Sequence, residues 1–367
     1  MVRAHKCVYI ACPANFATGG PELLHQLGIE LRNIGINVFM YYLGFNQTKY
    51  ESPVHDNYKT YSLPFVCEIE DLSSNLLILS ETALNEIVNY KFLDCVIWWL
   101  SVDNVYVNFD LINQIYNSSS ILNRIFCKML KYLTLIPVFR CLYQKYPKFR
   151  VNGLINLTRK SSRFEHWAQS HYAIEFIKSK GIEKVEYISD YLRLEFIHQA
   201  QKVDISKKQE VIAYNPKKGL EFTQQIIQAT AGTIQFIPII DMTIDEVKEL
   251  LSVAKIYIDF GCHPGKDRIP REAAMLGCCV VTGLEGSARF NEDIPIPIEY
   301  KFASDTSELP NIIAKLEFIL ANYESCLRDF MQYKEFIMHE QGLFVYSVGK
   351  LFFGEECAER INCNSSI

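Results

Sequence analysis

With 367 residues, 49% of them hydrophobic and 13% aromatic, the chain can bury a sizeable core and most naturally makes two domains. The longest apolar runs, such as LDCVIWWL, fall short of the ~18 residues that mark a membrane-spanning helix. The amino terminus MVRAHKCVYIACPA enters a strand pattern almost at once, so no secretory leader is expected. The 12 cysteines are scattered without a CxxC pair, and the adjacent Cys278 and Cys279 lie in an apolar run, as expected in a reducing cytoplasm. Four N-x-[ST] sequons, starting at Asn46, Asn117, Asn156 and Asn364, carry no weight without such a leader.

The net charge of −5 is unevenly spread. Between Leu111 and Phe164 there is no acidic residue, while Arg124, Lys128, Lys131, Arg140, Lys145, Lys148, Arg150, Arg159, Lys160 and Arg163 supply ten positive charges. Basic residues recur every three to four positions among Ile, Leu, Phe, Met and Tyr in this stretch, which predicts helices with one apolar and one cationic face, broken or kinked at Pro137. Two readings stand side by side: core-packed helices with a solvated rim, or a surface attracted to anionic lipid headgroups. A nucleic-acid partner is not expected, because the whole chain is acidic and shows no nucleic-acid motif.

In chain order, strands alternate with helices. KCVYIACP, a glycine pair, LLHQLGIELRNIG and INVFMYYL form a first β-loop-α-β unit. Then come LLILS, the helix-like ETALNEIVN, the strand CVIWWL, the helix HYAIEFIKSKG and the strand KVEYIS. The polar bridge His198 to Glu210 reads as an interdomain linker. Beyond it the pattern restarts as VIAYN, LEFTQQIIQAT, TIQFIPI, TIDEVKELLSVA, KIYIDF, a short helix and CCVVT, followed by helices from Ser307 to about Phe352. Thr243 and Glu246 are spaced for a capping box. The domains implied are 1–198, 199–335 and a helical tail 336–367.

The densest chemistry lies from Asp259 to Gly283, where a loop carrying Gly261, His263, Gly265, Lys266, Asp267 and Arg268 joins a strand to a short helix. Pro270 marks the first helical turn and Gly277 the stop. Flexible backbone and positive charge thus meet the positive end of a helix dipole, an arrangement that suits a phosphate or diphosphate. The plainer reading is a solvated loop at a strand end. In the first half, CVIWWLSVDNVYVN ends an apolar strand in Ser101, Asp103, Asn104 and Tyr106, which are either ligand contacts or a turn that satisfies its own backbone. Trp98 and Trp99 alternate faces, so at most one meets a ligand, and His166, His171 and His198 lack metal-ligand spacing.

Taken together, these segments resemble the GT-B glycosyltransferases, particularly the retaining family 4 type. ATGGPELLHQLGIELRNIGINV (Ala17 to Val38) looks like that family's first loop and helix, REAAMLGCCVVTG resembles its nucleotide-sugar motif, and YNPKKG (Tyr214 to Gly219) stands where its basic phosphate-binding segment follows a strand. The resemblance spans most of the chain through short motifs whose order and spacing carry it. It implies an α/β, GT-B fold: two Rossmann-like domains with parallel sheets facing a central cleft, the first on the acceptor side and the second on the nucleotide-sugar side, with C-terminal helices. It further implies Gly19 and Gly20 as close-approach backbone, Lys217 or Lys218 against the departing diphosphate, and Glu272 on ribose or sugar hydroxyls. Gly265, Lys266 and Arg268 join the donor site, and His263 and Asp103 join Glu272 as catalytic candidates, Asp103 serving as base if the reaction inverts.

One position departs from the family. Eight residues before Glu272, where a second glutamate is usual, stands Pro264 between His263 and Gly265, so the retaining stereochemistry the resemblance implies is only a leaning. The chain has no D-x-D, and with Lys and Arg supplying charge no metal or cofactor is expected, the nucleotide-sugar being a substrate. The expectation is a cytoplasmic glycosyltransferase in surface polysaccharide assembly, acting on a glycan that a membrane lipid can carry, and lying on the inner face of the membrane if the basic stretch docks there. The alternatives are a nonhydrolysing nucleotide-sugar epimerase, which would release an isomerised sugar nucleotide without acceptor, and a catalytically silent partner subunit, which would bind no donor.

Overall fold

The computed structural model describes residues 5–107 and 151–355, so residues 108–150, which carry most of the basic stretch 111–164, and residues 1–4 and 356–367 lie outside the described residues. Two compact units emerge. The first takes the described residues up to Ala168 together with Glu175–Glu186, and the second takes Gln169–Ile174 and the described residues from Tyr187 onward.

The sheet of the first unit contains β1 (Cys7–Pro13), β2 (Val38–Leu43), β3 (Phe65–Val66), β4 (Asn75–Ser80), β5 (Asp94–Trp99), β6 (Phe164–Ala168) and β7 (Glu186–Tyr187), in the order β3-β2-β1-β4-β5-β6-β7. β1 pairs in parallel with β2 and β4, with Val8 opposite both Val38 and Leu76. Burial explains the composition: every residue of β4 and all but the first of β5 are inside, as a parallel sheet covered on both faces requires. Trp98 and Trp99 are both fully buried, so both belong to the core. The helix Gly19–Asn33 follows β1, and His25 on its inner face bridges the Pro21 carbonyl (2.7 Å) and the Tyr42 hydroxyl (2.8 Å).

In the second unit β8 (Gln209–Tyr214), β9 (Gln235–Pro238), β10 (Ala254–Asp259) and β11 (Cys279–Thr282) form a parallel sheet ordered β11-β10-β8-β9. The capping box at Thr243 is present: its hydroxyl accepts the Glu246 N–H at 3.3 Å, and the Glu246 carboxylate accepts the Thr243 N–H at 2.6 Å. The helix Met331–Phe353 runs unbroken through 335 and 336. Residues 198–210 complete the helix Leu194–Ala200, make a 3-10 turn at Ile205–Lys207 and enter β8, all inside the second unit.

Two expected elements differ from their patterns. ETALNEIVN is a 3-10 segment (Glu81–Asn89) with a non-helical Ala83, because Glu81 at its start is drawn inward by backbone amides of the next strand's end. KVEYIS contributes only Glu186–Tyr187 to the sheet. Of the basic residues, Arg159 and Lys160 are exposed, whereas Arg163 donates to the carbonyls of Tyr90 (3.1 Å) and Leu93 (2.9 Å) and is therefore a fold contact.

Lys208 ties the second unit together under its sheet. Its ammonium donates to the carbonyls of Leu251 (2.8 Å), Ala254 (2.7 Å) and Leu276 (2.7 Å), and burial lowers its pKa from the usual lysine range. Lys208→Met keeps much of the volume and leaves three carbonyls without that donor, so urea unfolding should show a loss of ~2–4 kcal/mol with an unchanged slope. A loss below ~0.5 kcal/mol would mean that water replaces the ammonium at no cost.

Candidate functional site

Open parallel sheets bind ligands beyond the carboxyl ends of their strands, where the strand order reverses. In the second sheet that point lies between β8 and β10. The loops leaving these strands, 215–219 and 260–267, are packed backbone against backbone. Gly219 has φ +58°, and a side chain there would run into the Phe260 carbonyl, while one on Gly261 would run into Lys218. Gly286, at φ +64° after β11, lies equally close to the His263 backbone, whose carbonyl accepts the Ser287 N–H at 2.9 Å. Three loops are thereby held as one surface.

His263 is fully buried in that surface. Its Nε2 lies 3.5 Å from Asp259 Oδ1 and its Nδ1 3.4 Å from Asp267 Oδ2. Burial pulls the imidazole pKa down, but Asp259 and then Asp267 outweigh it, so the pKa stands above the ordinary histidine value. Asp259 also accepts the Tyr257 hydroxyl at 2.8 Å, and the Lys218 ammonium sits on Asp267 at 2.5 Å. Asp259, His263 and Asp267 offer ligand atoms within 4.8 Å of one another, enough to hold a metal ion, but Lys218 already supplies a cation to that group.

The next residues of the loop turn inward. Lys266, 3% exposed, donates to Ser189 Oγ at 2.9 Å and meets Glu340 Oε1 at 2.7 Å, and Arg268 Nε lies 3.5 Å from Asp190. Arg271, fully buried, pairs with Asp190 (2.8 Å) and with Glu340 Oε2 (2.8 Å), and these carboxylates keep its charge against the burial that opposes it. Gly265 is buried, its carbonyl accepting Ser287 Oγ at 2.7 Å. Lys217 is exposed, its N–H bound to Asn215 Oδ1 at 3.0 Å. Glu272 is half-buried on the helix Arg268–Met275, near enough to the buried Tyr257 to help raise that hydroxyl's pKa, though burial and Asp259 do more.

Of the residues singled out from sequence, the fold brings Lys217, Lys218, His263, Gly265, Lys266, Arg268 and Glu272 to this end of the second unit. Gly19, Gly20 and Asp103 lie in the first unit. There Gly19 and Gly20 open a helix, and a side chain on Gly20 would meet only Leu100 Cδ1, at 3.7 Å. Asp103 is half-buried in the turn before the helix Asn104–Val107.

Sequence reasoning missed Asp190, Arg271, Glu340 and Glu81. For Glu340 a signal existed: it lies on the stripe Tyr333, Ile337, Phe344, Val348, where an acid among apolar residues at helical spacing implies a buried partner. Glu81 follows β4 at the first sheet's own reversal point, between β1 and β4. It is 1% exposed and accepts the Leu100 N–H at 2.8 Å and the Ser101 N–H at 3.1 Å; burial pushes its pKa up to about 7 even though these bonds lower it.

No protein-family model matches the chain, and no curated protein matches its sequence. Solved structures do match. Sucrose-phosphate synthase from Thermosynechococcus elongatus is similar at a TM-score of 0.56 with 10% identity, covering 99% of this chain and 98% of that one. HepE from Anabaena, solved in complex with UDP, is similar at 0.57 with 11% identity, covering 99% and 100%. Both have the GT-B fold, so the α/β architecture of this chain is GT-B.

His263 supplies a pH test of the loop. Because its folded pKa is raised, its stabilising contribution is complete below the ordinary value of ~6.5 and is lost as pH rises through the folded value. The stability difference between wild type and His263→Gln in urea should therefore be largest near pH ~6 and shrink toward pH ~9. A difference constant across that range would assign His263 a packing role alone.

Proposed function

We propose that the chain is a glycosyltransferase that moves a sugar from a nucleotide-sugar donor to a glycan acceptor, with the donor held by the second unit and the acceptor by the first. The carrying observation is the fused loop surface at the second sheet's reversal point, with exposed Lys217 on one loop and Glu272 on the following helix. The likeness along the whole chain to two GT-B proteins supports it, one of them solved with UDP.

Chemically, the difficult part of such a transfer is departure of the nucleoside diphosphate. Lys217 and the amides at the start of the helix Arg268–Met275 would stabilise that charge, while Glu272 would accept hydrogen bonds from ribose or sugar hydroxyls. Lys266 and Arg268 lie against carboxylates, so their part is to hold the loop in shape. Asp103 is the acceptor-side candidate. We further propose that transfer needs no metal and proceeds with retention.

Thermal-shift titration against sugar nucleotides tests the reading, since a ligand at ~100 times its Kd adds ~2.7 kcal/mol of stability. Binding should survive chelator. Glu272→Gln should lose ~1.5–3 kcal/mol of donor binding or turnover with folding nearly unchanged. A variant that melts much earlier yet keeps its activity per folded molecule would make Glu272 structural, and donor binding restored only by magnesium or manganese would refute the metal-free mechanism.

For the acceptor we propose a lipid-linked glycan in surface polysaccharide assembly, reached by docking of the basic segment on the cytoplasmic face of a membrane. No helix among the described residues is long and apolar enough to cross a membrane. The protein should co-sediment with anionic vesicles and release as salt rises, because the attraction is screened beyond ~8 Å at physiological ionic strength. Replacing Lys128, Lys131, Arg140 and Lys145 with Gln should weaken that binding, and equal binding by variant and wild type would leave the basic segment a structural role.

A further inference from the structure

The first sheet has a reversal point of its own, between β1 and β4. The residue that follows β4 there is Glu81. Both of its oxygens are used, Oε2 by the Leu100 N–H at 2.8 Å and Oε1 by the Ser101 N–H at 3.1 Å. These amides open the turn after β5: the Ser101 carbonyl accepts the Asn104 N–H at 2.8 Å and the Val102 carbonyl the Val105 N–H at 3.2 Å. Val102 and Val105 are anchored in the core, while Ser101 and Asp103 between and beside them stay half-buried at the sheet edge. The turn thus has an apolar root and a polar outer side, and Glu81 is the side chain that sets its first two peptide planes.

Among the described residues no cation pairs with this buried carboxylate, and such an arrangement is a costly choice for a fold contact. A neutral side chain would accept backbone amides without the desolvation penalty of a charge. The segment Glu81–Asn89 packs on β4, β5 and the helix Asn104–Val107. The charged groups that these elements and the adjoining turn bring are Glu86, Asp94 and Asp103, all acidic. The influences on the Glu81 carboxyl are burial, which dominates, and the amides of Leu100, Ser101 and Glu81 itself.

We propose that Glu81 is a positioning residue of the first unit, its two carboxylate oxygens fixing the amides of Leu100 and Ser101 and so setting the turn that presents Ser101 and Asp103 to the acceptor. The role of the turn rests on the glycosyltransferase reading. The grip of Glu81 on it does not, and is measured without any sugar.

Linkage fixes the sign. Opening the turn to water returns the carboxyl toward the ordinary glutamate value of ~4.3, below its value in the closed turn, so ionisation favours opening and protonation favours closure. A glutamine at 81 offers one accepting oxygen, and its amide nitrogen, which only donates, leaves the second backbone N–H without an acceptor.

Amide hydrogen exchange of the peptide spanning residues 98–104 reads this directly on the full chain, each variant being compared with wild type at the same pH so that intrinsic exchange cancels. Near pH ~6 Glu81→Gln should therefore exchange several-fold faster than wild type, and near pH ~8, where ionisation favours opening of the wild-type turn, that gap should narrow. Glu81→Ala, which removes both acceptors, should speed exchange about tenfold near pH ~6, the effect of losing ~1–2 hydrogen bonds, and by less near pH ~8. Glu86→Gln, on the same segment, should leave the peptide unchanged.

A ratio of Gln variant to wild type that is the same at both pH values would overturn the proposal, since packing alone does not titrate. So would unchanged protection in a folded Glu81→Ala. If the alanine variant does not fold, the glutamine ratio decides. Should the turn behave as proposed in a protein that binds no sugar nucleotide, the glycosyltransferase reading falls and the positioning role stands.

Discussion

Glu340 is the side chain on which the candidate donor surface depends. One carboxylate oxygen holds Lys266 of the loop after β10 and the other holds Arg271 of the helix that follows, so a residue some seventy positions later joins loop and helix. Asp190 completes the group by taking Arg271 and Arg268. A buried charge network of this kind adds little net stability compared with apolar packing, because desolvation consumes most of the attraction. What it provides is directional: each cation is aimed at one carboxylate, and a partly satisfied arrangement is heavily penalised. The observed loop shape satisfies each of these cations with a carboxylate.

The glycines enforce that shape from the other side. Gly219, Gly261 and Gly286 let three loops approach at backbone distance, where a side chain would clash. Rigid loops at the carboxyl ends of β8, β10 and β11 suit a task in which the protein must meet charge that develops on a leaving group, since preorganised dipoles need not reorient during reaction. Both sheets have their central strands buried and their order reversed near the middle, so each unit exposes its chemistry at one edge.

The two units handle charge differently. At the edge of the second, carboxylates are matched by His263, Lys218, Lys266, Arg268 and Arg271. At the edge of the first, the partners of Glu81 among the described residues are backbone amides. The cations beside Asp190 and Asp259 hold their carboxyls below the usual carboxylate range, whereas burial raises Glu81 to about 7 against the amides that lower it. The first kind builds a fixed electrostatic surface and the second a proton-sensitive one.

Several features were legible in the sequence because they rest on local chemistry. Alternating strand and helix periodicities placed most elements of both sheets, Thr243 with Glu246 marked a capping box, and Gly277 marked a helix stop with its φ of +81°. Short motifs in the right order resemble those of the GT-B fold. Tertiary structure alone decided where the charges go. Lys266 and Arg268 read as cations at the start of a helix, yet Glu340 and Asp190 face them from distant segments. Likewise ETALNEIVN has a helical pattern, but Glu81 must reach Leu100 and Ser101, and the segment tightens to a 3-10 form. The physical reason is the same in each case: periodicity and capping act over a turn or two, whereas a buried charge must find its partner wherever the fold brings one.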